Sequence, residues 1–126
     1  MIDHIGINCA DLDRSKAFYD AVLGTLGYER IMDFDSACGY GTEGDPAFWL
    51  STYDGMPAEQ REVHVAFRAA DEAAVRTFHE TATALGAESL HEPRLWPEYH
   101  PGYFGAFVRD PDGNNVEAVV HLPPAG

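Results

Sequence analysis

The sequence predicts an α+β fold in which two βαβββ modules lie in one chain and form a half-open, barrel-like cleft. Three observations predict it: a repeated strand that carries a histidine, an aspartate at the same distance after each histidine, and a Leu-Gly pair that ends the helical stretch of each half. A βαβββ unit covers one face of its sheet with a helix, so the other face remains open for a partner sheet.

The repeat begins with two similar short segments. Residues 3–8 read Asp-His-Ile-Gly-Ile-Asn and residues 63–68 read Val-His-Val-Ala-Phe-Arg, with the histidine in second place in both. Each stretch after the histidine favours β structure. Both segments are therefore predicted as strands in equivalent positions.

A helix is predicted after each of these strands. Asp11 and Asp71 follow the two histidines at equal distance, and each is placed to accept backbone N–H bonds as an N-cap. Gly27 and Gly86 suit the left-handed residue that ends a helix. The apolar stripes at helical spacing consist of Leu12, Ala17, Phe18, Ala21, Val22 and Leu26 in the first helix, and of Ala74, Val75, Phe78, Ala82 and Leu85 in the second.

Three further strands are predicted in each half. They cover residues 28–34, 37–41 and 47–53 in the first half, and residues 87–91, 103–109 and 115–121 in the second. The segment 110–114, Asp-Pro-Asp-Gly-Asn, predicts a hairpin turn, and residues 54–61 predict the join between the halves. We therefore predict one domain, residues 1–126, with module one at 1–55 and module two at 61–123.

Composition and charge exclude several classes of partner. Acidic residues outnumber basic ones by 21 to 8, which gives a net charge of -13 that would repel nucleic acid and anionic membrane surfaces. No targeting or membrane-spanning segment is recognisable, which predicts a cytoplasmic protein. Cys9 and Cys38 do not form a Cys-x-x-Cys motif, and we expect two free, buried thiols.

Three residues stand out as candidate metal ligands. His4 and His64 occupy equivalent strands of the repeat, and Glu117 lies on the last predicted strand. Two imidazoles and a carboxylate on one side of a metal leave open positions for a substrate, and this set suits a divalent ion such as Fe, Mn, Ni or Zn. Each residue taken alone is explained as well by a hydrogen-bonded or solvent-facing side chain.

The whole pattern resembles a known superfamily. A strand-borne histidine, a helix with Phe-Tyr, a Leu-Gly-Tyr stop, a second strand-borne histidine and an ending Arg-Asp-Pro-Asp-Gly-Asn-Asn-x-Glu look like the vicinal oxygen chelate proteins, the glyoxalase, bleomycin-resistance and extradiol-dioxygenase group. The resemblance implies paired βαβββ modules, a homodimer, and a metal bound by His4, His64 and Glu117. The fourth ligand position falls at residues 48–50, Phe-Trp-Leu, which offer no ligand, so three ligands look more like the extradiol dioxygenases than like lactoylglutathione lyase.

Other residues are predicted to line the cleft. The aromatic segment 95–103 resembles a substrate loop, in which His100 and Tyr103 are candidate catalytic residues that could bind an oxyanion or move a proton. Phe48, Trp49 and Tyr99 are candidate substrate-binding residues because aromatic side chains suit an apolar substrate. Packing in the core or exposure on the surface explains these five residues about as well. Structural or exposed positions are predicted for the remaining histidines, His79, His91 and His121.

These residues predict a metal-dependent enzyme that acts on a small molecule. A divalent metal would chelate two neighbouring oxygens of the substrate, in a lyase, isomerase or extradiol-dioxygenase type of reaction. The alternative is a metal-free protein that sequesters a drug or metabolite, for which the acidic surface suits a cationic compound. A third possibility is a partner-binding module with an unused cleft. The sequence leaves open whether the ligands come from one chain or from two.

Overall fold

The computed structural model describes residues 2–52 and 63–124 and confirms the α+β fold with two βαβββ units. The predicted join at 54–61 lies outside the described residues, so the module boundaries stay predictions. The first half contains β1 (Ile5–Asn8), α1 (Leu12–Gly24), β2 (Glu29–Asp33), β3 (Ala37–Thr42) and β4 (Asp45–Ser51). The second half contains β5 (His64–Arg68), α2 (Glu72–Ala84), β6 (Ser89–Leu95), β7 (Tyr103–Arg109) and β8 (Asn115–His121).

The two sheets have the same topology. Their strand orders are β1-β4-β3-β2 and β5-β8-β7-β6, and the pairs β1/β4 and β5/β8 are parallel while the other pairs are antiparallel. The sheets remain separate and do not close into a barrel. The repeat seen in the sequence is thus a repeat of whole supersecondary units.

The edge strand β6 differs from its prediction. It runs from Ser89 to Leu95 instead of over 87–91, and it passes through Pro93 with shifts in its pairing to β7. An edge strand tolerates proline because one row of its backbone N–H groups needs no partner in the sheet. The aromatic segment therefore begins at the end of a longer strand than the sequence predicts.

The helix boundaries confirm the capping residues. The carboxylates of Asp11 and Asp71 each accept a hydrogen bond from the backbone N–H three residues on, at 3.1 and 2.8 Å. Gly27 and Gly86 have φ values of 85° and 91°, and a residue with a side chain would be strained at these backbone angles. Local chemistry therefore fixes the start and end of both helices.

The core lies on the helical side of each sheet, and α1 also packs against α2. Alternate strand residues point into it, including Phe48 and Leu50 of β4 and Val116 and Ala118 of β8. Both cysteines are buried and free, as expected. Among the described residues, no helix is long and apolar enough to cross a membrane.

The β7–β8 hairpin joins the two halves. The carboxylate of Asp110 accepts hydrogen bonds from the Tyr19 hydroxyl of α1 at 2.7 Å and from the Asn114 side-chain amide at 2.9 Å. In the same turn, the carboxylate of Asp112 accepts a hydrogen bond from the backbone N–H of Ala10 at 3.0 Å. The Asp-Pro-Asp-Gly-Asn segment therefore forms the predicted turn and also links module two to the first helix.

Candidate functional site

The face of the second sheet that carries no helix holds most of the chemically capable side chains. Strand pairing places Glu117 of β8 opposite Phe107 of β7 and Ala66 of β5, and it places Tyr103 opposite His121. Because side chains alternate along a strand, residues 117, 119 and 121 share this face, while their neighbours point into the core. We refer to it as the open face of the second sheet.

Glu117 is the centre of the site. Its side chain is fully buried, and its two oxygens have different partners. Oε1 lies 2.9 Å from Nε2 of His64, and Oε2 accepts a hydrogen bond from the hydroxyl of Tyr103. The structure thus brings together two of the predicted ligands and one predicted catalytic residue. Since the side chain of His64 is 52% exposed, the imidazole of this pair is accessible from the open face while the carboxylate lies beneath the surface.

Gly105 lets Tyr103 reach Glu117. The tyrosine lies on β7 four residues before Phe107, the partner of Glu117, and it extends along the strand, so its ring edge passes over Gly105. A Cβ at position 105 would lie 3.2 Å from Glu117 Oε2 and 3.3 Å from Tyr103 Cε1, both closer than usual. Burial and the hydrogen bond to Glu117 raise the pKa of Tyr103 above its ordinary value, so its hydroxyl stays protonated and donates a hydrogen bond to the carboxylate.

His4 lies apart from this pair in the chain. It directly precedes β1, its side chain is 58% exposed, and its Nδ1 lies 2.7 Å from the carboxylate of Asp3. Within residues 2–52 and 63–124, no group of three His, Cys, Asp or Glu side chains is placed to hold a metal ion. One chain therefore presents His64 with Glu117 on the second sheet, and His4 directly before the first strand of the other sheet.

Trp49 occupies the position in module one that Glu117 occupies in module two. The pairs Gly6/Trp49 and Ala66/Glu117 are equivalent in the β1/β4 and β5/β8 ladders. The indole ring lies over Gly39, where an added Cβ would lie 3.0 Å from two of its ring atoms. The indole ring also stacks on the exposed ring of Phe34, with 6.5 Å between the ring centroids and 9° between the ring planes. The fourth ligand position is thus an aromatic surface.

The other two candidate substrate contacts lie in different surroundings. Phe48 of β4 points to the helical side of the first sheet. There it packs in the core against Tyr19 and Phe67, at centroid distances of 5.0 Å each. Tyr99 is 59% exposed in the loop after β6, where its ring stacks on the buried ring of Trp96. The core position of Phe48 matches the packing explanation that the sequence left open, whereas Tyr99 is available to a ligand.

His100 pairs with a histidine that sequence reasoning had placed among the structural or exposed residues. Its Nε2 lies 2.8 Å from Nδ1 of His121, and the two rings stack at 5.1 Å. Tyr103 contacts both rings edge-on, at 5.5 and 5.4 Å. The signal in the sequence was the spacing of four residues between Glu117 and His121, which places both on one face of a strand. The remaining histidines have structural contacts: His79 bonds Ser89, and the exposed His91 packs against Trp96.

Comparisons with known proteins agree with this architecture. A family profile described as a glyoxalase-like domain matches residues 4–119. A glyoxalase/bleomycin resistance protein from Albidiferax ferrireducens is 30% identical with a TM-score of 0.83, covering 94% of this chain and 97% of that one.

Two more distant structures share the fold. A glyoxalase/bleomycin resistance protein/dioxygenase family enzyme from Burkholderia phytofirmans has a TM-score of 0.75 at 20% identity, over 96% of this chain and 98% of that one. Lactoylglutathione lyase from Agrobacterium tumefaciens has a TM-score of 0.69 at 23% identity, over 95% and 92%. No curated protein matches the sequence.

Proposed function

Because the chain belongs to the glyoxalase-like family of the vicinal oxygen chelate superfamily, we propose that it is a metal-dependent enzyme acting on a small molecule. His64 and Glu117 of one chain and His4 of a second copy would hold the divalent ion, with Fe, Mn, Ni and Zn as the candidates. When bound, such an ion polarises two neighbouring oxygens of a substrate and stabilises the anion that develops on them.

The buried carboxylate of Glu117 is the observation that carries this proposal. An ionised carboxylate that is removed from water requires a cation or several hydrogen bonds to offset the lost solvation. Glu117 has an imidazole and a phenol as its hydrogen-bonding partners, and both can be neutral. A nitrogen and a carboxylate oxygen side by side are ligands that first-row divalent ions accept, so these donors fit a metal.

The exposed position of His4 supports a site shared between two chains. His4 is the repeat equivalent of His64, and it directly precedes β1 of a sheet whose helix-free face carries apolar surface: Met32 and Phe34 are 42% and 57% exposed. Trp49 adds to that surface. Apolar surface of this kind is typical of a contact face. A second copy that covers it would bring a third ligand to His64 and Glu117, and the protein would act as a homodimer.

Tyr103 and His100 have distinct roles in the proposed site. Tyr103 donates a hydrogen bond to Glu117 Oε2, which fixes the orientation of the ligand carboxylate and leaves Oε1 directed at His64. This makes Tyr103 a positioning residue in the resting protein. His100 lies further along the same face, where its hydrogen bond to His121 holds the imidazole of His121 in place. The chain's residues thus hold the carboxylate rigid and place polar hydrogens beside the substrate.

Metal content tests the proposal. Protein purified without an affinity tag is reconstituted anaerobically with each candidate ion, and bound metal is measured by mass spectrometry for the wild type and for Glu117→Gln, His64→Gln and His4→Gln. The matched control is His79→Gln, since His79 bonds Ser89 away from the site. We expect stoichiometric metal in the wild type and the control, and loss in the other three. Absence of metal from the wild type would refute the proposal.

The shared site has its own test. Mixing His4→Gln with Glu117→Gln protein gives heterodimers in which one of the two sites has all of its ligands. We expect partial recovery of metal binding in the mixture, although each variant alone binds none. A His4→Gln variant that keeps stoichiometric metal would exclude His4 as a ligand.

A metal-free sequestering protein is the second candidate. Trp49 and Phe34 form an aromatic surface at the fourth ligand position, and the net charge of -13 favours a cationic compound. The planar cation thioflavin T is a suitable probe, measured by fluorescence with Trp49→Ala as the variant. Tight binding that is lost in Trp49→Ala, together with no metal uptake by the wild type, would favour this function over the enzyme.

A further inference from the structure

A chain of hydrogen bonds at the end of β8 fixes which nitrogen of each paired histidine carries its proton. The backbone N–H of Gly102 donates to His100 Nδ1 at 3.2 Å, so that nitrogen is unprotonated and the proton of the neutral ring lies on Nε2. His100 Nε2 then donates to His121 Nδ1 at 2.8 Å. His121 in turn carries its proton on Nε2, which is left as a donor.

The start of this chain is rigid. The carbonyl of Gly102 accepts the backbone N–H of Leu122 at 2.7 Å, and a Cβ at position 102 would lie 2.2 Å from the carbonyl oxygen of Leu122. The absence of a side chain therefore allows the loop to close against the end of β8. Because the Gly102 amide cannot accept a proton, it holds His100 in one tautomer and through it orients His121.

An arginine lines the same surface depression as His121. Arg68 ends β5, pairs with Val119 of β8 and shares the open face with Glu117 and His121. A surface depression of about 450 Å³ lies here, lined by Arg68, Ala69, Ala70, Val120 and His121. The hydroxyl of Tyr28 donates to the Arg68 carbonyl at 2.8 Å, so module one holds the backbone of this residue in place.

The pairing of the arginines shows which guanidinium groups are available to an external anion. Arg30, Arg94 and Arg109 each form an ion pair with an aspartate or glutamate. Within the part of the chain that the structure describes, Arg14, Arg68 and Arg76 have no such pair, and of these three Arg68 is the one that lines the depression with His121. In a protein with a net charge of -13, an exposed arginine without a carboxylate partner is a donor that remains free for an external anion.

We propose that Arg68 and His121 bind an oxyanion group, a carboxylate or a phosphate, at the end of the substrate remote from the metal ligands. The assignment of this group to the substrate rests on the proposed function, whereas anion binding itself does not. His121 lies four positions after Glu117 on one strand, which places their Cα atoms roughly 13 Å apart at about 3.3 Å per residue. The substrate class is thus an elongated anion with neighbouring oxygens at its other end.

Nuclear magnetic resonance tests the site without metal or turnover. Long-range ¹H–¹⁵N spectra at pH 8 report the histidine tautomers, and titrations with inorganic phosphate and with acetate report binding. We expect Nε2–H tautomers for His100 and His121, and saturable shifts at His121 and at the Arg68 side chain. The anion that binds more tightly identifies the oxyanion.

Arg68→Gln should weaken anion binding about tenfold or more, since a hydrogen bond from a charged donor contributes roughly 1.5–3 kcal/mol. Arg14→Gln on α1 is the matched control and should bind as the wild type does. An Nδ1–H tautomer of His121, or equal affinities for the two arginine variants, would overturn the proposal.

The same variants separate this inference from the metal site. Glu117→Gln should bind no metal and still show the phosphate shifts at His121. Arg68→Gln should retain stoichiometric metal. Phosphate or acetate shifts in a wild-type protein that takes up no metal would therefore support the anion site while refuting the proposed enzyme. Metal uptake with neither phosphate nor acetate shifts would do the opposite.

Discussion

Replacing Tyr19 by phenylalanine removes the bond that ties α1 to the β7–β8 hairpin while keeping the ring. Tyr19 is completely buried, and its ring packs edge-on against Phe18 and lies 5.0 Å from that of Phe48. Its hydroxyl donates to Asp110 Oδ2 at 2.7 Å. The Tyr19→Phe variant therefore isolates one hydrogen bond between the two modules.

The expected loss follows from what remains on the carboxylate. A hydrogen bond to a charged group contributes about 1.5–3 kcal/mol. Without Tyr19, Asp110 Oδ2 keeps the Asn114 side-chain amide at 2.9 Å, and Oδ1 keeps the backbone N–H groups of Asp112 and Asn114 at 2.9 and 2.8 Å. Since the carboxylate stays bonded, we expect a loss at the lower end, about 1.5 kcal/mol in the free energy of unfolding.

The pH dependence gives a second, independent magnitude. Burial, followed by the charge of Asp110, raises the pKa of Tyr19 far above its ordinary value in the folded protein. Above about pH 10 the unfolded chain loses this proton while the folded protein keeps it, so stability falls by up to about 1.4 kcal/mol per pH unit. The variant lacks this contribution. The 1.5 kcal/mol advantage of the wild type should therefore vanish near pH 11, about one unit above the unfolded pKa.

Urea denaturation followed by circular dichroism measures both quantities, at pH 7.5 and at steps between pH 9.5 and 11. The control is Tyr99→Phe, whose exposed side chain should change stability by less than about 0.5 kcal/mol. A loss below that value in Tyr19→Phe, or a gap between wild type and variant that stays constant up to pH 11, would refute the role assigned to this bond.

Three shorter predictions follow from other contacts. Gly105→Ala should destabilise the protein by about 1–3 kcal/mol, because its Cβ crowds Glu117 at 3.2 Å, whereas Gly24→Ala, with nothing within 4 Å, should not; urea denaturation compares the two. Asp71→Ala should cost about 1 kcal/mol by loss of the N-cap bond, and an unchanged midpoint in urea would contradict it. Cys9 is buried and burial raises its pKa to about 11, so Ellman's reagent at pH 8 should label it after denaturation and not in the native protein.

The parts of the fold that depend on local chemistry were predictable from the sequence. Asp11 and Asp71 cap helices because a carboxylate can satisfy the free N–H groups of the first turn, and Gly27 and Gly86 end them because positive φ favours glycine. These effects act over a few residues, so the sequence shows them directly. The extension of β6 through Pro93 escaped prediction because its edge position depends on the topology of the whole sheet.

The site was predictable only in part for the same reason. The repeat and the strand period indicated that His64 and Glu117 lie on one face, and their side chains meet at 2.9 Å. The path of Tyr103 across Gly105 and the pairing of His100 with His121 depend on the β7/β8 register and on a loop closure. Such contacts bring together residues that are 14 and 21 positions apart in sequence, and no local pattern encodes them.

The presence of an indole in one sheet and a carboxylate in the other, at equivalent positions, breaks the approximate symmetry of the two βαβββ units. The Gly39/Trp49 pair in one sheet corresponds to the Phe107/Glu117 pair in the other. The aromatic ring is on β4 in the first sheet and on β7 in the second, and the second pair alone contains a carboxylate. With Trp49 and Glu117 as unlike counterparts, the helix-free face of one sheet offers an aromatic ring and that of the other offers a carboxylate, so the two halves of the chain differ chemically although their backbones repeat.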